Sequence, residues 1–194
     1  MIKPVIVANW KMNKTPSESE WLISEILPGL HELKPGLDVE VILAPTFTSL
    51  PLAAKALAGT GVALCAQDCH WSEEGPFTGE VSARMLAEVG CRFVILGHSE
   101  RRELFAETNR RVNMKAVSAL FWGLTPIICA GEKEDERASG HTEMVVEKQL
   151  KRCLSELKLD KELRLMVAYE PVWAIGAGRT PTPHEVDGIH RLIR

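Results

Sequence analysis

Short β-rich runs return along this chain at a steady interval, each separated from the next by an amphipathic helical stretch. That alternation constrains the fold more than any other feature. The runs are Val5–Ala8, Val39–Leu43, Val62–Cys65, Phe93–Leu96, Pro126–Cys129 and Leu165–Ala168. Strands alternating with helices at roughly 30-residue spacing predict βα units on a parallel sheet. The first, fourth, fifth and sixth runs are nearly all apolar, as expected of parallel strands covered on both faces. Between the runs, Trp21, Leu22, Ile26 and Leu30 outline one helix face, and Val112, Ala116, Ala119 and Leu120 a second. Met144, Val145, Leu150, Leu154 and Leu157 outline a third. Gly123 followed by Pro126 is a helix stop. Thr182-Pro183-His184-Glu185 reads as a capping box with proline at the first helical position.

The pattern yields six βα units with no linker or break in composition, hence one α/β domain over residues 1–194. Six units suit an open doubly wound sheet or most of a barrel. The first strand is followed by Asn9-Trp10-Lys11-Met12-Asn13, polar and free of glycine, which argues against a dinucleotide-binding fingerprint. Polar residues gather after most strand ends, the pattern of a barrel whose site lies on its C-terminal face.

Composition excludes several classes. Net charge is −3, with 45% apolar and 25% charged residues, so neither nucleic acid nor an anionic membrane is an expected partner. The longest apolar runs are strand-length, too short to span a bilayer. The N-terminus, Met1-Ile-Lys-Pro, leads straight into a strand, so no leader is expected. Five cysteines without a CxxC pair fit a reducing, cytoplasmic setting. Cys65, Cys69 and His70 lie close together, but no second cluster completes a tetrahedral set, so neither metal nor cofactor is expected.

The strand ends supply the chemistry. Asn9 and Lys11 offer a carboxamide and a cation, although a lysine in such a loop is more often simply solvated. His98, within Gly97-His98-Ser99-Glu100-Arg101-Arg102, sits between a strand and a short helical turn. There it can act as a neutral hydrogen-bond donor or proton shuttle, or be held by a backbone carbonyl. Glu100, Arg101 and Arg102 read as a supporting ion-pair network, and Glu132 as a structural salt bridge. Glu170 ends the sixth strand and is followed by Pro171-Val172-Trp173-Ala174-Ile175-Gly176-Ala177-Gly178-Arg179-Thr180. This segment has stiff ends, a small apolar tip and glycine N–H groups free to grip an anion. It reads as a lid over a carboxylate base.

Asn9–Asn13, Gly75–Glu80, Leu96–Arg102 and Ala168–Gly176 together, in this order and spacing, closely resemble triosephosphate isomerase. The resemblance covers Ile2 to Arg194 and implies a TIM (β/α)8-barrel fold. It also implies interconversion of dihydroxyacetone phosphate and glyceraldehyde 3-phosphate through an enediolate. It assigns proton transfer to Glu170, carbonyl polarisation to His98, charge neutralisation to Lys11 and substrate contacts to Asn9, Lys11 and Gly176. Glu100 takes a supporting role, and Thr78 lies in a loop that implies a homodimer. Where the family has Gly-Thr-Gly-Lys in the lid, this chain has Gly176-Ala177-Gly178-Arg179. The family pattern continues through two further βα units, so a C-terminally truncated barrel is the expectation. Its first and sixth strand edges would be uncovered, and phosphate would rest mainly on Lys11 and Gly176. Two other readings stay open. One is a non-catalytic remnant serving as a folded binding or assembly module. The other is a Schiff-base aldolase, for which Lys11 and Lys115 are both poorly placed.

Overall fold

The structure, a computed structural model, describes residues 3–33, 38–155, 157 and 164–194. Met1 and Ile2 of the N-terminal run lie outside them. The strands are β1 (Val5–Asn9), β2 (Glu40–Ala44), β3 (Ala63–Ala66), β4 (Phe93–Leu96), β5 (Thr125–Ala130) and β6 (Met166–Tyr169). The helices are α1 (Pro16–Leu33), α2 (Leu50–Leu57), α3 (Ala83–Val89), α4 (Ser99–Leu104), α5 (Asn109–Phe121), α6 (Glu134–Ala138), α7 (Thr142–Cys153) and α8 (Pro183–Ile193). Each expected strand is present, displaced by about a residue at most, because each apolar run is bounded by turn-forming residues. Strand order follows chain order, β1 to β6.

Two compact units can be described, one of Met1–Val94 with Phe121–Leu124, the other of Ile95–Leu120 with Thr125–Arg194. In the first, β1 and β2 pair in parallel from Val5↔Glu40 to Asn9↔Ala44, and β3 meets β4 at Cys65↔Phe93. Its core includes Ile23, Ile42, Leu43, Leu64 and Leu86. In the second, β5 and β6 pair in parallel from Ile127↔Met166 to Ala130↔Tyr169. Leu96, Val112, Ile128 and Val146 are among its buried residues.

Two expectations are corrected. β1 and β6 are not covered on both faces: Ile6 is 59% exposed, and no residue of β6 is fully buried. Among the described residues each of these strands has one parallel neighbour, whereas β3 and β4 are buried throughout. The buried rows of α1 and α7 are also rotated from the expected faces. Trp21 is 59% exposed while Ile23 is buried, and Met144 is exposed while Val146 is buried. In α1 the inward row includes Ser19, whose hydroxyl donates to Ser49 Oγ (3.0 Å). A small polar residue on the buried row misdirects a reading by hydrophobicity.

All five cysteines are free and buried. Burial pushes the Cys91 thiol up to about 12. It also raises that of Cys153, against the opposing pull of the Arg102 guanidinium.

Ile42 is fully buried in β2. Ile42→Ala is expected to lower unfolding stability by about 2–5 kcal/mol, read as a shift in the urea midpoint at unchanged slope.

Candidate active site

Within the first unit, the Lys11 loop is held by side chains. Lys11 takes φ 53, a conformation that strains a residue bearing a Cβ and persists only where its surroundings enforce it. Asn9 Oδ1 accepts the Lys11 N–H (3.0 Å), and Gln67 Nε2 donates to the carbonyls of Lys11 (2.9 Å) and Ala44 (2.8 Å). Asn9 therefore shapes the Lys11 backbone, and Gln67 was not marked by the sequence pattern. Thr78 lies in an exposed excursion from Trp71 to Glu80. Its base is closed where the His70 N–H donates to the Val81 carbonyl (2.8 Å). His70 stacks on Trp71 and packs against Phe77, and its Nδ1 accepts the Ser72 N–H. The imidazole thus serves the loop, and no cluster of three metal-ligating side chains occurs among the described residues.

Within the second unit, His98 and Glu170 come together. His98 caps α4, its Nδ1 accepting the Glu100 N–H (3.3 Å). With Nδ1 accepting, Nε2 is the ring nitrogen left to donate. That Nε2 lies 3.3 Å from Glu170 Oε1. Glu170 Oε2 accepts the Ser99 N–H (2.9 Å) at the first turn of α4, where a carboxylate meets unsatisfied donors and the positive end of the helix. Glu100 Oε2 sits 3.5 Å from His98 Nδ1.

The backbone beneath this pair is fixed by charged side chains. Gly97 donates to Glu107 Oε2 (3.1 Å), and Glu107 Oε1 pairs with Lys115. Lys115 is thus a buried partner of Glu107 on α5 rather than a strand nucleophile. Arg101 reaches Glu107 (Nε to Oε2, 3.6 Å), as an ion-pair network would have it. Arg102 does not: its guanidinium donates to the carbonyls of Gly97 (2.6 Å) and Cys129 (3.0 Å). Carbonyls at strand ends lack ladder partners, and that need outcompetes an ion pair.

Glu170 is seated by β5. Its N–H donates to the Ala130 carbonyl (2.9 Å). A Cβ on Gly131 would fall 1.7 Å from the Glu170 carbonyl oxygen, so only glycine admits this approach. Gln149 holds Gly131 from the other side, accepting its N–H (2.9 Å) and donating to its carbonyl (3.0 Å).

The segment after Glu170 is anchored through Glu132, whose side chain is 0% exposed. Its carboxylate accepts the Tyr169 hydroxyl (3.0 Å) and the Trp173 Nε1–H (2.9 Å). Arg137 lies 4.0 Å from it and stacks over the Trp173 ring at 3.9 Å. The reading of Glu132 as a structural charge pair therefore holds, with the tryptophan added. Burial, and then the nearby Glu132 charge, raise the Tyr169 phenol well above its usual range. At the far end Arg179 grips Glu134 (Nη2 to Oε2, 2.7 Å), while Ile175 to Gly178 stand exposed. Gly176 is at φ 68.

A family model described as triosephosphate isomerase matches residues 4–194. The chain belongs to the triosephosphate isomerase family. It is 46% identical over 194 residues to the triosephosphate isomerase of Geotalea uraniireducens (strain Rf4), all of this chain aligning with 76% of that protein. Against the Citrifermentans bemidjiense enzyme identity is 49% over 195 residues, with the same two coverages. The crystal structure of triosephosphate isomerase from Bartonella henselae superposes with a TM-score of 0.87 at 36% identity. It covers 99% of this chain and 74% of that one. The six parallel strands and their helices thus have the TIM-barrel α/β fold. The chain is an intramolecular isomerase of triose phosphates, as its family's activity requires.

Two outcomes follow for a triosephosphate isomerase built this way. Gly131→Ala is expected to displace Glu170 and lower kcat by about 10²-fold, since a misplacement near 1 Å costs on that order. Steady-state kinetics on the folded variant check it. Glu185 caps α8 by accepting the Thr182 N–H (2.7 Å) and pairs with Arg137. The Thr182 backbone first, then Arg137, hold its carboxyl down to about 2. A carboxyl depressed on folding stabilises above its unfolded value and loses that contribution as pH falls towards the folded one. Melting temperature should therefore drop between about pH 4.5 and about 2, and Glu185→Gln should flatten that part of the profile.

Proposed function

We propose that Glu170 is the base that moves a proton between adjacent carbons of the triose phosphate, with His98 as its electrophilic partner. The observation that carries this reading is the convergence of Glu170 Oε1 on the protonated Nε2 of His98 (3.3 Å) beside the Ser99 N–H. Triosephosphate isomerase is itself the standing example of a glutamate base paired with a neutral histidine. The Glu170 carboxylate takes the proton alpha to the carbonyl, and the electron pair moves onto the carbonyl oxygen as an enediolate. His98 Nε2–H stabilises that oxygen and carries protons between the two oxygens. Protonated Glu170 then returns its proton to the neighbouring carbon. To reach substrate, the carboxylate first releases the Ser99 N–H, so the arrangement described above is the resting one.

Lys11 supplies a fixed cation for the phosphate-bearing substrate, with Asn9 placing it and the Gly176 N–H adding a second anion contact. Glu100 supports the His98 ring by donating its backbone N–H to Nδ1. The segment from Pro171 to Thr180 is a lid that excludes water, which keeps the phosphorylated enediolate from losing phosphate. The loop around Thr78, with Phe77 beside it and Met12 in the loop after β1 both exposed, is the surface of a homodimer. A cytoplasmic setting and a single barrel-type domain complete this reading. The remnant reading is less well supported, because the relatives carry the isomerase name across the full aligned length.

Glu170→Asp, which withdraws the carboxylate by one methylene, is expected to lower kcat by about 10²-fold with a smaller effect on KM. An assay coupled to triose phosphate turnover reads this directly. A rate at background that Glu170→Asp leaves unchanged would overturn the proposal in favour of the non-catalytic module.

A further inference from the structure

We propose that Arg102 is a positioning residue that sets His98 and Glu170 relative to one another by tying the peptide before His98 to the strand, β5, against which Glu170 is seated. This rests on the reading of those two residues as the reacting pair. Arg102 Nε donates to the carbonyl of Gly97 (2.6 Å), the residue immediately before His98. Its Nη2 donates to the carbonyl of Cys129 (3.0 Å) near the end of β5. The next residue on β5, Ala130, accepts the Glu170 N–H (2.9 Å). One planar group therefore ties the peptide leading into His98 to the end of the strand whose next carbonyl holds the Glu170 backbone.

The group itself is fixed on its other sides. Nη1 donates to Asn109 Oδ1 (2.5 Å) at the start of α5, and Nη2 also lies 3.6 Å from Cys153 Sγ on α7. Gly97 is shaped to receive it. At φ 70, a Cβ there would meet Arg102 Nη2 at 2.7 Å and Val112 Cγ2 at 2.8 Å. With its N–H on Glu107 and its carbonyl on Arg102, Gly97 has both polar groups held by charged side chains. A lysine cannot replace this, because a single ammonium on a flexible stem does not present the rigid fork that satisfies two carbonyls and a carboxamide together. Arg102 lines a cavity of about 620 Å³ together with Ser99, Asn109 and Gln149.

The test compares Arg102→Ala and Arg102→Lys, with melting temperature recorded for each. Arg102→Ala is expected to lower kcat by about 10²-fold with KM changed by less than about threefold. Millimolar guanidinium chloride should restore part of that loss in Arg102→Ala, entering through the cavity, and restore nothing in Arg102→Lys. A folded Arg102→Ala with kcat within about twofold of the parent overturns the proposal. So does a kcat loss that only follows the folded fraction and does not respond to guanidinium. If Arg102→Ala does not fold, Arg102→Lys decides: lowered kcat at preserved KM supports positioning, and unchanged kcat overturns it. Glu170→Gln with Arg102 intact separates the underlying reading. Full activity in that variant removes Glu170 as the base whatever Arg102 does.

Discussion

Parallel strands that run into polar loops leave backbone carbonyls without ladder partners at their C-terminal ends, and the site depends on how these are satisfied. Side chains from elsewhere in the same unit do it. Gln67 takes the carbonyl of Lys11 and shares that of Ala44 with the Trp10 N–H, Gln149 takes that of Gly131, and Arg102 takes those of Gly97 and Cys129. Each of these bonds also fixes backbone close to Lys11, His98 or Glu170, the residues proposed for the site. Completing the backbone hydrogen bonds of the strand ends and positioning the chemistry are thus the same set of contacts.

The same economy governs charge. Glu170 in its resting position is stabilised by the Ser99 N–H at the start of α4 and by a histidine whose proton faces it. For Glu170 to act as the proposed base, such stabilisation has to be exchanged for substrate contacts rather than added to them. Glu132 is different in kind. A carboxylate with no exposure at all is tolerable only because a phenol, an indole and a nearby guanidinium surround it. Removing any one of these would leave part of a buried charge unmatched.

Much of this was legible in the sequence. The strands were, because each apolar run is local and bounded by breakers. The placement of Lys11, His98 and Glu170 just after strand ends was, because each lies in a long and specific motif. The rest depended on contacts between residues far apart in the chain. Gln67 and Lys11 are separated by 56 positions, and Arg102 and Cys129 by 27. No periodicity announces such a bond. Gly131 follows a strand, and the reason it must be glycine is the Glu170 backbone arriving from another strand. Trp21 misled for the converse reason: the helix turns a buried serine inward and its largest side chain outward.

The five cysteines make the molecule a clock of its own opening. They lie in both units, at positions 65, 69 and 91 in the first and 129 and 153 in the second, and all are free and buried. A thiol that is out of solvent, and for Cys91 pushed up to about 12, presents almost no thiolate to an alkylating reagent at neutral pH. Labelling then proceeds only through transient local unfolding, so the rate at each cysteine reports the opening free energy of its own neighbourhood. Residue-by-residue alkylation would map which parts of the fold breathe first, using reporters already in place.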